Sequence, residues 1–592
     1  MALPPVYKIH PAIGIARVGN ADRNTFFIGP EYPGRPAAGD ATVGTTVPDF
    51  KTGGKIKPQA ARFRIWEYVD KGGKYEASRE INLDEKDCVA INWTAHLANR
   101  KASFFKFDGM MGEERAHPAG NRRNDAFAAD RRRLEIDPLP RSISGKSKPP
   151  VKFSKGSSSN PASELWPNPA PSPPIEYLGE LRTDAQGRLI VIGGQGLSSS
   201  VGGAPLVHYA NNDNWFDDVS DGPVKATVVI RDKNNKQKTV QATGAWVMCG
   251  PPDFAPSLAS VITLYDVLYN MAAVELTLPA NDALYITVLK SLGDINKEFK
   301  AAGAAKLSAY KPSYNDEIYP FLRRGLEQVF VFEMLKFFHS SVKKISLGDS
   351  SAAAQAARQA VFDRIHTPGL AGTGGTKNMP KLQGDEPYKP AHTHRMVSVT
   401  PTQHALLEQW AKGSFVAAAG VLPPPLPPAV ITPHGLDRAA LENCVGAAFY
   451  PGIEVSWQIR NKALFSEPFR INHAALSQYL GDATPIRAGH FSRQMAVPWQ
   501  ADFLECRLDS GNGWWPAQRP DIAYQTKADY DASPKKSVNW DRASTGGVTG
   551  NWPSGGVAPV KKEMVEHWYK FGILREGPQY YHLELEREPT IP

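Results

Sequence analysis

The chain has 592 residues, 42% of them hydrophobic and 22% charged. That composition excludes a disordered polymer, and the length exceeds the roughly 250–300 residues at which a single core stops growing. The formal net charge is +8, but the basic residues are scattered, and the one dense group, Arg131 to Arg133 with Arg122 and Arg123, has Asp125, Asp130 and Glu135 beside it. It forms no stripe for a nucleic-acid backbone.

Four cysteines, Cys88, Cys249, Cys444 and Cys506, are too few and too far apart for a disulfide framework. The N-terminal text MALPPVYKIHPAIGIARVG lacks the basic start and continuous apolar core of a signal peptide, and no run approaches the roughly 18 apolar residues of a membrane span. The expected location is cytoplasmic, or outside the cell by a route that needs no such signal, with neither nucleic acid nor membrane as partner.

Residues 1–280 alternate short β-branched or aromatic runs with Gly, Pro, Asn and Asp clusters, as in Leu189 to Ile192 before Gly193-Gly194 and Ala226 to Ile230 before Asp232. This is the pattern of strands and turns. Within it, residues 140–175 are rich in Ser, Pro and Lys and read as a long surface loop. Helical periodicity follows, from Ala283 to Ala302 and from Ile318 to Val342, where Phe321, Leu322, Leu326, Val329, Phe330, Met334, Leu335 and Phe338 recur at three- and four-residue steps. Ser350 and Ser351 are candidate caps for an Ala-rich helix to Ile365, and Thr402 for a segment His404 to Lys412 that Gly413 ends. A connector, Pro423 to Pro428, leads into mixed loop and strand text with a final helix near Lys561 to Phe571. The expected class is α+β: a β-rich region with long loops over 1–280, a mainly helical region over 281–430, and a mixed region over 431–592.

Gly193-Gly194-Gln195-Gly196 follows an apolar strand, but a dinucleotide fingerprint needs a helix to open directly after its glycines. Ser198-Ser199-Ser200 follows instead, so the segment reads as a glycine turn. His392 and His394, with His366 and His404 not far off, lack a carboxylate or cysteine at a recurring ligand spacing, and no metal is expected. The Gly-x-Ser-x-Gly elbow of a serine hydrolase is missing.

In Pro498-Trp499-Gln500-Ala501-Asp502-Phe503-Leu504-Glu505-Cys506 a carboxylate and a thiol stand four residues apart, on one face if the segment is helical. Five of the thirteen tryptophans, Trp514, Trp515, Trp540, Trp552 and Trp568, lie within the next 62 residues. Thiol and tryptophan together usually mean packing, and an Asp here can cap a helix or pair with Arg507. A thiol, a carboxylate and an indole are also the ingredients of a cofactor made from the chain itself.

At this point the sequence resembles the LodA-like family of cysteine tryptophylquinone amino-acid oxidases, which includes lysine ε-oxidase, glycine oxidase and arginine-oxidising relatives. The resemblance covers nearly the whole chain. It rests on Ile9 to Asn20 (IHPAIGIARVGN), Gly187-Arg188-Leu189, Asp221-Gly222-Pro223-Val224, Pro251 to Pro256 (PPDFAP), Pro451-Gly452-Ile453-Glu454 and Pro498-Trp499-Gln500-Ala501-Asp502. The resemblance implies that Cys506 is the cross-linking cysteine and Asp502 the active-site carboxylate and general base. The tryptophan of relatives lies some sixty residues further on, before a Gly-containing turn. Trp568, in Glu566-His567-Trp568-Tyr569-Lys570-Phe571-Gly572, fits that place best, Trp552 second, and Trp514 and Trp515 are too close. Relatives carry a second cysteine, a histidine and a tyrosine near the quinone. Cys444 is the candidate for the cysteine, and neither His473 nor His490 matches by motif.

The implied reaction is oxidative deamination of the primary amine of an L-amino acid, reducing O2 to H2O2 and releasing ammonia, with no flavin, NAD or metal bound. The substrate expectation runs arginine, then lysine, then glycine. A flavoprotein monooxygenase is implied as the maturation partner, and a homo-oligomer as the final assembly. The alternative is a non-catalytic binding protein of the same fold in which Cys506 stays a thiol.

Overall fold

The computed structural model describes residues 3–34, 37, 49–106, 122–278, 289–332, 335, 345–369, 379–382, 397–418, 430–446, 452–477, 484–505, 517–540, 564–576 and 582–587. Cys506, Trp514, Trp515, Trp552, His392, His394 and the Pro423 to Pro428 connector therefore lie outside the described residues. The principal strands are β1 (Val6–His10), β2 (Ile13–Arg17), β3 (Phe27–Ile28), β4 (Gln59–Asp70), β5 (Tyr75–Ile81), β6 (Cys88–Ala95), β7 (Arg141–Ser144), β8 (Val151–Ser154), β9 (Tyr177–Thr183), β10 (Leu189–Ile192), β11 (Ser198–Ser200), β12 (Trp215–Asp217), β13 (Ser220–Arg231) and β14 (Gln237–Gly250). Twelve of them form one mixed sheet in the order β8-β9-β10-β4-β1-β14-β13-β6-β7, with β2 against β14 and β4, and with β3 and β5 against β4. β11 and β12 pair separately.

The two-residue period of a strand decides which core each side chain joins. Along β14, Ala245, Val247 and Cys249 enter a core on one face of the sheet with Ile9, Phe63, Ile91, Trp93 and Val191. The intervening Trp246 and Met248 join Ile13 and Ile15 in facing the helices. Those helices are α1 (Leu264–Val274), α2 (Lys290–Ala302), α3 (Tyr319–Glu327), α4 (Gln355–Phe362), α5 (Pro401–Ala411) and α6 (Pro433–Glu442). Leu268, Leu292, Phe321, Leu406, Trp410 and Leu441 pack with Trp246 and Met248 into one core. A third core gathers Val18, just past β2, and Phe254, just past β14, with Trp499, Phe503, Trp540 and Trp568. β2 and β14 are parallel, so this last core lies beyond their shared carboxyl ends. The architecture is α+β, and among the described residues no helix is long and apolar enough to cross a membrane.

Several local expectations are corrected. The Ser- and Pro-rich stretch 140–175 contributes β7 and β8 to the sheet, because Arg141, Ile143 and Phe153 bury on alternate positions. Helices begin at Leu264, where Thr263 and Asp266 form a capping box, inside the stretch read as β-rich. α5 is capped by Thr400 with Gln403, and Pro401 takes the first helical position, leaving the Thr402 hydroxyl to donate to Asn270 Oδ1 at 2.8 Å. Ser351 starts only a 3₁₀ turn, without a side-chain cap, and the helix proper runs Gln355–Phe362. After Glu327 the periodic segment from Ile318 tightens into a 3₁₀ turn, Gln328–Phe330. The final helix expected near Lys561 to Phe571 is present over 564–567 and tightens at Trp568 into the 3₁₀ turn Trp568–Lys570.

Candidate active site

The segment after Pro498 is a helix, α7 (Trp499–Glu505). Trp499, Gln500, Ala501, Asp502 and Phe503 are all buried, Asp502 at 2% exposure. Three-residue spacing puts Asp502 over Trp499. Both ends of α7 are tied to charge of the sign that suits the helix dipole. At the start, the Trp499 amide donates to Asp217 Oδ2 at 3.1 Å. Towards the end, the Arg519 guanidinium donates to Phe503 O and lies 5.3 Å from the Trp540 ring centroid.

Asp217 belongs to a fully buried ion pair with Lys101 at 2.8 Å, and Lys101 also donates to Ala496 O at 2.9 Å. Asn99 Nδ2 donates to the other Asp217 oxygen at 2.8 Å. Burial pushes the Lys101 ammonium down and Asp217 pulls it back up. Next in sequence, Asp218 accepts from the amides of Gln195, Gly196 and Leu197. Burial raises the Asp218 carboxyl to about 7 against the opposing pull of those amides.

The turn those amides belong to is the one read as a plain glycine turn, and the structure gives it a purpose. Gly196 has φ +75°, and a Cβ placed on it would stand 2.1 Å from Cζ2 and 2.8 Å from Cε2 and Cη2 of Trp568. Only glycine lets the backbone lie this close to the indole. The carbonyl of Gly196 accepts from Gln500 Nε2 at 3.1 Å, and Ser198 Oγ is 2.6 Å from Gln500 Oε1, so the turn and α7 are braced together. Trp568 is 3% exposed. The Trp499 Nε1 donor is buried and has no acceptor among the described residues.

Trp540, the other described tryptophan of the C-terminal group, donates to Gly572 O at 2.8 Å and tilts against Phe571 at 4.9 Å, so it holds the segment that follows Trp568. The Cys444 thiol lies in the helical core, donating to Ala440 O at 3.3 Å, and burial pushes it well above the ordinary thiol range. Beside it, Arg17 pairs with Glu454 at 2.6 Å and approaches Asp253 to 3.9 Å, which joins three of the motifs quoted above. His473 Nε2 bonds Ala245 O at 2.9 Å on β14. His490 is buried beside Phe491 and pushed well below its ordinary value, by burial and then by Arg493, Arg100 and Arg487. The residues a reading by motif left without a role are Asp217, Asp218, Lys101, Gly196 and Gln500; Gly196 carried a signal in the glycine run and Gln500 in the Pro498 to Asp502 motif, and the other three carried none.

The chain matches the family descriptions "L-Lysine epsilon oxidase N-terminal" over residues 10–249 and "L-lysine epsilon oxidase C-terminal domain" over residues 380–530. It is 28% identical over 565 residues to L-lysine 6-oxidase of Marinomonas mediterranea, covering 85% of this chain and 72% of that protein. Its fold is similar to two solved structures from the same organism. The ε-lysine oxidase matches with TM-score 0.76 at 23% identity, and the Schiff base intermediate of L-Lys ε-oxidase with L-Lys matches with TM-score 0.75 at 24% identity. Each match covers 98% of this chain and 95% of the other. Sequence motifs, family matches and fold agree, and the chain belongs to the LodA-like family of amino-acid oxidases.

Proposed function

We propose that this chain oxidises the primary amine of a basic amino acid with a cysteine tryptophylquinone built from Cys506 and Trp568, reducing O2 to H2O2 and releasing ammonia. The observation that carries the reading is that Trp568, 62 residues after Cys506 in sequence, is seated against Trp499 of the short helix whose next residue is Cys506. The residues fit the group. Gly196 leaves a cradle against the indole that a Cβ would fill, and the Trp499 Nε1 donor lacks an acceptor among the described residues, which oxygen on the neighbouring ring would supply. Once formed, the quinone supplies an electrophilic carbonyl and a sink for two electrons.

The chain's own side chains supply the rest. Asp502, buried on the same helix as Trp499 and Phe503, is the base that takes the proton from the carbon bearing the amine. During maturation the same carboxylate draws the proton from the Cys506 thiol, since thiolate is the nucleophile. Burial keeps water from the base and leaves it in a low-dielectric site, where its charge interacts strongly. Maturation requires a flavoprotein monooxygenase, and the finished enzyme is a homo-oligomer.

The sequence resemblance ranks the substrates arginine, lysine, glycine. The relative is an L-lysine 6-oxidase, which favours lysine and its side-chain amine first, arginine second and glycine third. The test is to express the chain with a maturing flavoprotein monooxygenase, record the visible spectrum, map the peptides and screen the twenty amino acids for peroxide release. Joined Cys506 and Trp568 peptides, quinone absorbance and peroxide from lysine are expected. Recovery of the two peptides separate and unmodified from active enzyme overturns the cofactor reading. A colourless protein inert to every amino acid marks a binding protein instead.

A further inference from the structure

We propose that the adjacent carboxyls of Asp217 and Asp218 are positioning residues that together fix the distance between the helix that immediately precedes Cys506 and the Trp568 indole. The proposal rests on the reading of Cys506 and Trp568 as joined partners. Asp217 ends β12, and consecutive side chains at a strand end leave in opposite directions, so one dipeptide can hold two separate elements. Asp217 takes the helix side: its Oδ2 accepts the Trp499 amide at 3.1 Å, at the first residue of α7. Asp218 takes the turn side: Oδ2 accepts from Gln195 and Leu197, the latter at 3.1 Å, and Oδ1 accepts from Gly196 at 3.1 Å. Those three successive amides form a concave nest. Gly194 makes room for it, because a Cβ there would lie 2.5 Å from Asp218 Cγ. The turn so fixed is the one on which Trp568 lies.

Both oxygens of Asp217 are used, by Asn99, Lys101 and Trp499, and both members of the Lys101–Asp217 pair have side chains at 0% exposure. A fully desolvated ion pair contributes little net stability compared with apolar residues of the same volume, so stability alone is a poor reason for placing one here. Geometry is the better reason. Joining the Cys506 sulfur to a ring carbon forms a C–S bond and breaks an S–H and a C–H bond. The two protons and two electrons pass to O2, giving H2O2, through the maturing flavoprotein monooxygenase. Such a step needs sulfur and ring carbon in contact, and a small tilt of a seven-residue helix against the indole abolishes that contact.

The experiment uses the full chain expressed with the flavoprotein monooxygenase and reads the cross-linked fraction among folded molecules by mass spectrometry of the intact chain and its peptides. Asp217→Asn leaves Lys101 charged and buried, so the double variant Lys101→Met, Asp217→Asn is made beside it, and Asp218→Asn tests the turn independently. The double variant Lys8→Met, Glu467→Gln removes another largely buried pair, which bonds at 2.6 Å between β1 and the segment at Glu467, and controls for a loss of stability alone. Expected is folded protein in which the Asp217 or Asp218 variants lower the cross-linked fraction at least five-fold while the Lys8 and Glu467 control retains it. Wild-type cross-linking in folded Lys101→Met, Asp217→Asn and in Asp218→Asn overturns the proposal, as does an equal loss in the control. A wild-type chain without any Cys506 to Trp568 link overturns the cofactor reading instead, and so the two failures are distinguishable.

Discussion

The indole of Trp499 meets that of Trp568 edge to face, with ring centroids 5.4 Å apart and planes at 73°. Trp499 thus offers Trp568 a buried aromatic wall, and its indole donor has no acceptor among the described residues. Trp499→Phe keeps most of the wall and removes the donor. The expected result is a protein that still folds and cross-links but whose quinone absorbance shifts, with kcat lower by about ten-fold, the equivalent of one hydrogen bond of about 1.4 kcal/mol. The visible spectrum and steady-state kinetics check it; an unchanged spectrum and kcat would show that the donor plays no part.

Gly196→Ala places a methyl 2.1 Å from Trp568 Cζ2 on a residue at φ +75°. Overpacking costs about 1–3 kcal/mol and a left-handed conformation about 1–2 kcal/mol for a non-glycine residue. The variant should unfold at a temperature several degrees lower and mature poorly. Differential scanning calorimetry and the cross-linked fraction measure both.

Asp502→Asn keeps the size of the side chain and removes the base. Turnover should fall by at least two orders of magnitude, the usual scale for a positioned general base. Asp502→Ala should in addition lower quinone absorbance if the carboxylate also deprotonates Cys506. Normal peroxide release from either variant would move the base to another residue.

Stability should respond to pH in opposite senses at two histidines and one aspartate. Burial lowers His434 and His473 from 6.5 to about 4. Between those values the unfolded chain binds protons that the folded chain refuses, so their contribution declines as pH falls from 6.5 towards 4. Burial raises Asp253 from 3.8 to about 7, against the pull of Arg17. Here the folded chain keeps a proton that the unfolded chain releases, so stability is lost as pH rises through that interval. Relative to Asp253→Asn, the wild type should therefore lose ground from pH 4 to pH 7; relative to His434→Gln, it should lose ground from pH 6.5 to pH 4. Thermal midpoints across this range test both signs.

The α+β class was legible because strand alternation and helix periodicity are local, and Trp499 to Glu505, whose helicity the spacing of Asp502 and Cys506 left as a condition, is a helix. What escaped the sequence depends on partners far along the chain. The tie between Asp217 and Trp499 spans 282 residues, and nothing near Asp217 announces it. The glycine run at Gly193 was visible as a turn, yet its reason is an indole near the other end of the chain. Thr400 displaced Thr402 as a cap because Pro401 favours the first helical position and Gln403 completes the box. Cys444 stood near a family motif, and the structure places it in the helical core, where its bond is to Ala440.

The two N-terminal strands have a consequence for how the polypeptide is made. β1 and β2 occupy the interior of the sheet and meet β14 in parallel, Lys8 opposite Thr243 and Ile15 opposite Met248. A parallel pair cannot close as a hairpin, so a nascent chain has to release some 250 residues, up to the end of β14, before its first strands find their last neighbour. Until then the apolar run Ile13 to Ala16 waits without that cover, and contacts of such long sequence separation form slowly. This interval is when the polypeptide is most prone to aggregate. Deleting the first seventeen residues, through the end of β2, would take out the middle of the sheet and not an edge, and the outcome to expect in a cell is loss of soluble protein altogether.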